Sequence, residues 1–293
     1  MATSIFGLTF DSLDVTKFRA IGLGLSTQLT AMLTKVTTSV DINWSTLPLP
    51  TNDTFATNIE VYRLDDSLQT TYPLFFKFEY GNSVYSRLVI RLTIGKSCNT
   101  TTGVISGILF PATEILSGQD GSSTPQTCYI SNGTGSSLSY ALSPLLGNAG
   151  GALFIERAYN SNGTLNGDGL VVSYRVRTSS SNVTTWVTYM IAYTAATYNT
   201  VNGSGIFPSP LVLGSGQGLA NGNVTPYFPA ACLSPNGLYW LPRVALGGSK
   251  VECAAGTVVN NLLDSNNYIG IGTLGVCSDQ RASTESGTLM RWD

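Results

Sequence analysis

Histidine is absent from this 293-residue chain. That removes the commonest general base and the commonest transition-metal ligand, so Ser-His-Asp, Cys-His and H-E-x-x-H centres cannot be built. Charge is scarce as well. Only 11% of the residues are Asp, Glu, Lys or Arg, against about a quarter in ordinary soluble domains. With a net charge of −2 and a pI near 5.1, no basic field exists to hold nucleic acid. No apolar run approaches the roughly 18 residues of a spanning helix, so membrane insertion is not expected. The opening "MATSIFGLTFDSLDVTK" has no basic residue before Lys17 and no unbroken apolar stretch, so no secretion signal is expected. No glycine-rich phosphate cradle opens a helix either.

Cysteine is present in an odd number, at Cys98, Cys128, Cys232, Cys253 and Cys277. No C-x-x-C or metal-like spacing links the five, which reads as reduced, buried thiols made in a cytosol. Eight N-x-S/T sequons occur, at Asn43, Asn52, Asn99, Asn132, Asn162, Asn182, Asn202 and Asn223. In a chain this rich in Ser, Thr and Asn they are read as compositional, not as glycosylation sites.

What fills the chain is strand pattern. In "PLFFKFEYGNSVYSRLVIRLTIG" (73–95), Phe76, Phe78 and Tyr80 alternate with Lys77 and Glu79. After Gly81-Asn82-Ser83, Leu88, Ile90, Leu92 and Ile94 alternate with Arg87, Val89, Arg91 and Thr93. A hairpin that matches the oily faces opposes Phe78 to Leu88, Phe76 to Ile90 and Leu74 to Leu92, and sets Glu79 across from Arg87. Further strands are read at 55–64, 103–110, 151–159, 170–177, 183–193, and in "YWLPRVAL", "GTVVNNLL" and "NYIGIGTLG". The second hairpin pairs Val176 with Val183, Val172 with Val187 and Leu170 with Tyr189. The Gly/Ser-rich region 117–139 reads as loops, and Pro and Gly cluster from 202 to 237. Residues 1 to 40 show no clean period and leave two options, a short helix or an arm that orders against a neighbour; the arm is favoured. The expected class is therefore all-β, a sandwich or jelly roll that can comprise two packed subdomains. The segments are 1–40 as arm, 41–200 as β-sandwich and 201–293 as a C-terminal β-rich region, part of the same sandwich or beside it.

From Thr178 to Pro242, 65 residues carry no charged side chain. Such a stretch is either a Ser/Thr/Asn surface or a contact with other subunits, since interface centres lose charge and gain aromatics. On the second reading the interface residues are Trp186, Tyr193, Tyr198, Phe207, Tyr227, Phe228, Tyr239 and Trp240. Lys77, Glu79, Arg87 and Arg91 join them on the charged face of the first hairpin, a solvated or inter-subunit surface whose few charges set register and partner choice.

A glycosidase needs only two carboxylates; the candidates considered are Asp65, Asp66, Glu79, Glu114, Glu156 and Asp168. Glu79 beside Lys77 and Glu156 beside Arg157 suit ordinary ion pairs. "NSNGTLNGDG" (160–169) imitates a calcium loop, but only Asp168 is acidic and Val171 stands where a bidentate Glu is required. It reads as a hairpin turn. No catalytic residue, cofactor or metal is expected.

"EVYRLDDSLQTTYPLFFKFEYG" followed by "LVIRLTIGKSCNTTTGVISG" resembles a recurrent segment of uncharacterised virion structural proteins of tailed bacteriophages. "LFIERAYNSNGTLNGDGLVVS" is similar to that family's second landmark, and the closing "GTLMRWD" to its basic-aromatic-acidic C-terminus. The resemblance covers roughly residues 45 to 293; the cysteines, "GKSC" and a 117–150 insertion depart from it. It implies a particle component made in the host cytoplasm, in the tail, baseplate or neck, with other virion proteins and copies of itself as partners, and no catalytic residues. Receptor or host-glycan binding through a fibre tip, and capsid decoration, remain alternatives.

Overall fold

The computed structural model describes residues 4–9, 14–38, 40–51, 58–82, 88–117, 125–131, 137–144, 151–159, 164–177, 184–193, 198–200, 227–234, 237–247, 258–263, 266–273 and 287–291. They are mostly antiparallel β-sheet with one α-helix, in agreement with an all-β class. In chain order the elements are β1 (Ser4–Thr9), α1 (Val15–Met32), β2 (Thr34–Val36), β3 (Ile59–Arg63), β4 (Phe75–Asn82), β5 (Leu88–Cys98) and β6 (Ile105–Ser117). There follow β7 (Pro125–Ser131), β8 (Ser137–Pro144), β9 (Gly151–Tyr159), β10 (Leu165–Arg177), β11 (Thr184–Ala192) and β12 (Tyr198–Thr200). The last five are β13 (Tyr227–Ser234), β14 (Gly237–Gly247), β15 (Val258–Leu263), β16 (Asn266–Thr273) and β17 (Gly287–Arg291). Among the described residues three sheets form: β2-β3-β4-β5-β6, then β1-β7-β8-β9-β10-β11-β12, then β13-β14-β17-β16-β15.

The core lies on one face of the β2–β6 sheet. Tyr62, Phe76, Phe78, Tyr80, Ile90, Leu92 and Ile94 are all buried there, packed with α1 and with Ile155, Leu170 and Ile191 from the seven-stranded sheet. The alternation read from the sequence thus buries the intended residues, but in a different register. Phe78 pairs with Leu92, Phe76 with Ile94 and Tyr80 with Ile90, so Glu79 faces Arg91, not Arg87. Gly81 and Asn82, read as part of the break, belong to β4, and Asn82 pairs with Leu88 at the start of β5. The slip is four residues, which preserves the parity that decides which face is buried. The second hairpin is corrected by two: Val176 opposes Thr185, Val172 opposes Tyr189 and Leu170 opposes Ile191. Region 117–139, read as loops, contains β7 and the first three residues of β8; β7 pairs with β8 over Gln126–Ser131 against Ser139–Pro144. Its Ser, Thr and Tyr satisfy a sheet as readily as a loop when both neighbours supply ladder bonds. The turn at 160–169 is likewise shorter than read, since β10 begins at Leu165 and changes register before Leu170.

The weight given to an arm over residues 1–40 is corrected too. Asp14 offers its carbonyl to Phe18 N at 2.9 Å and opens α1, a position where a short acidic residue is favoured. Phe18, Gly22, Leu25, Leu29 and then Leu33 fall three or four residues apart and all are buried, a helical stripe. Apolar residues on the opposite side, such as Leu23 at 54% exposure, hide that stripe from a count of periods. Thr27 and Thr30 return their hydroxyls to the carbonyls of Leu23 and Ser26, each at 2.8 Å, which lets them sit inside a helix. Gly22 lets the Trp44 ring lie against the helix, because a β-carbon there would overlap it. Gly22→Ala is therefore expected to destabilise by about 1–2 kcal/mol, although alanine is the better helix former by about 1 kcal/mol, since overpacking outweighs propensity. A urea titration that gives a raised midpoint would contradict this.

The opposite face of the β2–β6 sheet is not open. Val36, Ile59, Val61 and Ile105 form a second small cluster there with Val40, Phe75 and Cys98. The β5–β6 turn folds over it: Asn99 accepts from Thr101 N and Thr102 N, and Gly103, at φ +69°, fits beneath Val40. Lys77 and Glu79, paired at 3.0 Å, are only 19% and 12% exposed. These two members of the charged stripe are thus largely covered by their own chain.

Candidate functional site

The densest polar constellation among the described residues gathers around a carboxylate on β3. Strand alternation sends Glu60 to the same side as Tyr62, into the core, where it has no exposed surface. A buried carboxylate needs donors, and five elements supply them. Oε1 accepts from Ser26 Oγ of α1 at 2.7 Å, Lys35 Nζ of β2 at 3.0 Å and Trp44 Nε1 at 3.3 Å. Oε2 accepts from Tyr62 OH at 3.1 Å and Tyr80 OH of β4 at 3.0 Å. Burial, and then the charge of Glu60, hold the Tyr62 phenol far above its ordinary value, so it serves only as a neutral donor. Trp44 is set by local chain chemistry. Asn43 Oδ1 accepts from Ser45 N and Ser45 Oγ, and Asn43 O from Leu47 N. This Asx turn drives Trp44 inward, where its ring meets Tyr80 edge-on at 4.9 Å and Phe18 at 5.7 Å.

With both oxygens engaged and no surface exposed, Glu60 is poorly placed to take a proton from a substrate. Its evident work is to tie helix, sheet and loop to one point. Above it lies a cleft of about 610 Å³ between α1 and residues 42–45, lined among others by Arg19, Leu23, Lys35 and Trp44.

A second constellation joins two sheets. Arg157 of β9 donates through Nε to Asp66 Oδ2 at 2.6 Å, and through Nη2 to Asp66 Oδ1 at 3.3 Å and to Tyr72 O at 2.8 Å. Tyr72 stacks edge-on against Tyr193 at 5.3 Å, and Lys96 Nζ stands 4.6 Å over the Tyr193 ring. Burial raises the Tyr193 phenol, against the opposing charge of Arg157. Among the described residues no group of three His, Cys, Asp or Glu is placed to hold a metal, and no helix is long and apolar enough to cross a membrane.

No family model, curated protein or solved structure matches this chain. The residues themselves carry the reading.

The positions expected to form an interface are dispersed. Trp186 lies on β11 and Tyr198 on β12 of the seven-stranded sheet; Tyr227 and Phe228 lie on β13, Tyr239 and Trp240 on β14, in another sheet. Tyr193 belongs to the inter-sheet cluster just described. Lys77, Glu79 and Arg91 share the covered face of β4 and β5, while Phe207 and Arg87 lie outside the described residues. Of the carboxylates weighed for hydrolysis, Asp66 is the ion-pair partner of Arg157, a role the sequence assigned to Glu156, the residue next to it. Glu79 is paired with Lys77 as expected. Asp65 is exposed, Glu114 lies on β6 across from Arg91, and Glu156 and Asp168 lie on β9 and β10. Of the cysteines, Cys98 is free and only half-buried; burial raises its thiol, against the opposing charge of Lys77.

Glu60, Arg19 and Lys35 were missed. A signal for Glu60 existed: in "IEVYRL" it shares parity with Tyr62 and Leu64, so a core-facing strand had to bury it.

Proposed function

We propose that this chain is a non-enzymatic structural component of a tailed-bacteriophage virion, in the tail, baseplate or neck, present in many copies and joined through low-charge β-surfaces. In this reading its sheets complete a sandwich or jelly roll that neighbouring subunits cover. The observation that carries it is the uncharged run from Thr178 to Pro242. Among the described residues its strands are β11, β12, β13 and the first part of β14, and β12 and β13 each end a sheet. Edge strands of free-standing proteins are guarded by charge, shortness, proline or bulges; these two carry no charge, which leaves β12 its three-residue length and β13 Pro229 with the register shift beside it. Scarcity of charge leaves a surface prone to association. Sequence resemblance to phage virion proteins supports the same role.

The purified protein is expected to form symmetric oligomers or to bind another virion component, and antibody labelling is expected to find it on intact particles. Light scattering that shows a stable monomer, together with its absence from purified particles, would refute the proposal.

A further inference from the structure

We infer that the cleft between α1 and residues 42–45 is a binding site for an oxyanion, a carboxylate or phosphate, carried on a small apolar body. The chain has only 15 basic residues, yet two of them, Arg19 and Lys35, line this one cleft. Each is fixed by a bond that leaves donors to spare. Arg19 gives Nε to Leu47 O at 2.6 Å, which orients the guanidinium while its terminal nitrogens make no ion pair with any described residue. A fork held in this way suits two oxygens of one anion. Lys35 gives one N–H to Glu60, and at 28% side-chain exposure its other donors can serve a ligand. Glu60 is compensated by Lys35 and four neutral donors, so among the described lining residues the positive charge of Arg19 is left over. Ala20, Leu23, Ile42 and Trp44 supply an apolar wall to a cleft that stays broadly open to solvent.

The inference is independent of the virion role. It is tested by calorimetric titration of the full chain with benzoate and phenyl phosphate, with inorganic phosphate and benzyl alcohol as comparisons. Both aromatic anions are expected to bind saturably and to displace each other, while benzyl alcohol does not bind. Phenyl phosphate should bind better than inorganic phosphate; equal affinity would remove the apolar wall from the site. Arg19→Gln is expected to weaken both anions about tenfold or more, the scale of a charge-assisted bond. Leu23→Trp, made at an exposed position that a fold tolerates, is expected to block the mouth. Circular dichroism checks that both variants are folded. Absence of saturable binding, or undiminished binding by either folded variant, overturns the inference.

Discussion

Glu60→Ala is expected to destabilise the protein by about 3–5 kcal/mol, the cost of stripping one partner from a buried charged network. The loss is large because the carboxylate collects donors from α1, β2, β3, β4 and the Trp44 loop at once. Lys35 can turn to water. Ser26, Trp44, Tyr62 and Tyr80 cannot, since all four are buried; the Ser26 and Tyr62 hydroxyls keep each other at 3.3 Å, and each donor left without an acceptor costs roughly 1–3 kcal/mol unless water enters. Against a usual total stability of about 5–15 kcal/mol, such a variant is marginal. Glu60→Gln keeps the volume but presents an amide N–H₂ to two of the donors, so about half the loss is expected. Tyr80→Phe removes one donor and leaves four, and should cost about 1 kcal/mol. Urea unfolding followed by tryptophan fluorescence reads the series. An alanine variant within about 1 kcal/mol of the parent would show that the network holds nothing together.

That network also marks how far the sequence could be followed. Alternation in Phe76-Phe78-Tyr80 and Ile90-Leu92-Ile94 gave the buried face of β4 and β5 correctly, because parity survives any even slip. Register did not follow, since it depends on where the turn closes, and nothing in Gly81 to Arg87 fixes that length. Glu60 is not among the carboxylates weighed as a hydrolytic pair, yet its parity with Tyr62 and Leu64 places it inside. The tyrosines were themselves a hint: Tyr62 and Tyr80 on an otherwise oily face need an acceptor when buried. The α1 stripe was obscured by Ala20 and Leu23 on the outer side. Contacts between residues far apart in the chain, Asp66 with Arg157 above all, leave no trace in local pattern.

Disruption of that contact should have the second large effect. Asp66→Ala is expected to cost about 3–5 kcal/mol, because it strands a guanidinium that is 1% exposed, with only the Tyr72 carbonyl left to it. The site is prepared locally. Asp66 Oδ1 accepts from Leu68 N, and Gln69 brackets Leu74 through both of its amide atoms, so local bonds hold the acid out towards β9. Gly167 of β10 leaves room for the Tyr72 ring, which a β-carbon would overlap. Since the pair bridges the β3–β4 connection and the seven-stranded sheet, its loss should also change cooperativity. The parent is expected to unfold in one transition, and Asp66→Ala in two, with the β2–β6 sheet separating from the rest. The double variant Asp66→Leu with Arg157→Met tests the cause. If the penalty comes from an unpaired buried charge, replacing both partners by apolar groups restores most of the stability. If the double variant is as unstable as Asp66→Ala, geometry and not charge compensation is what the pair supplies, and the electrostatic account of this junction fails.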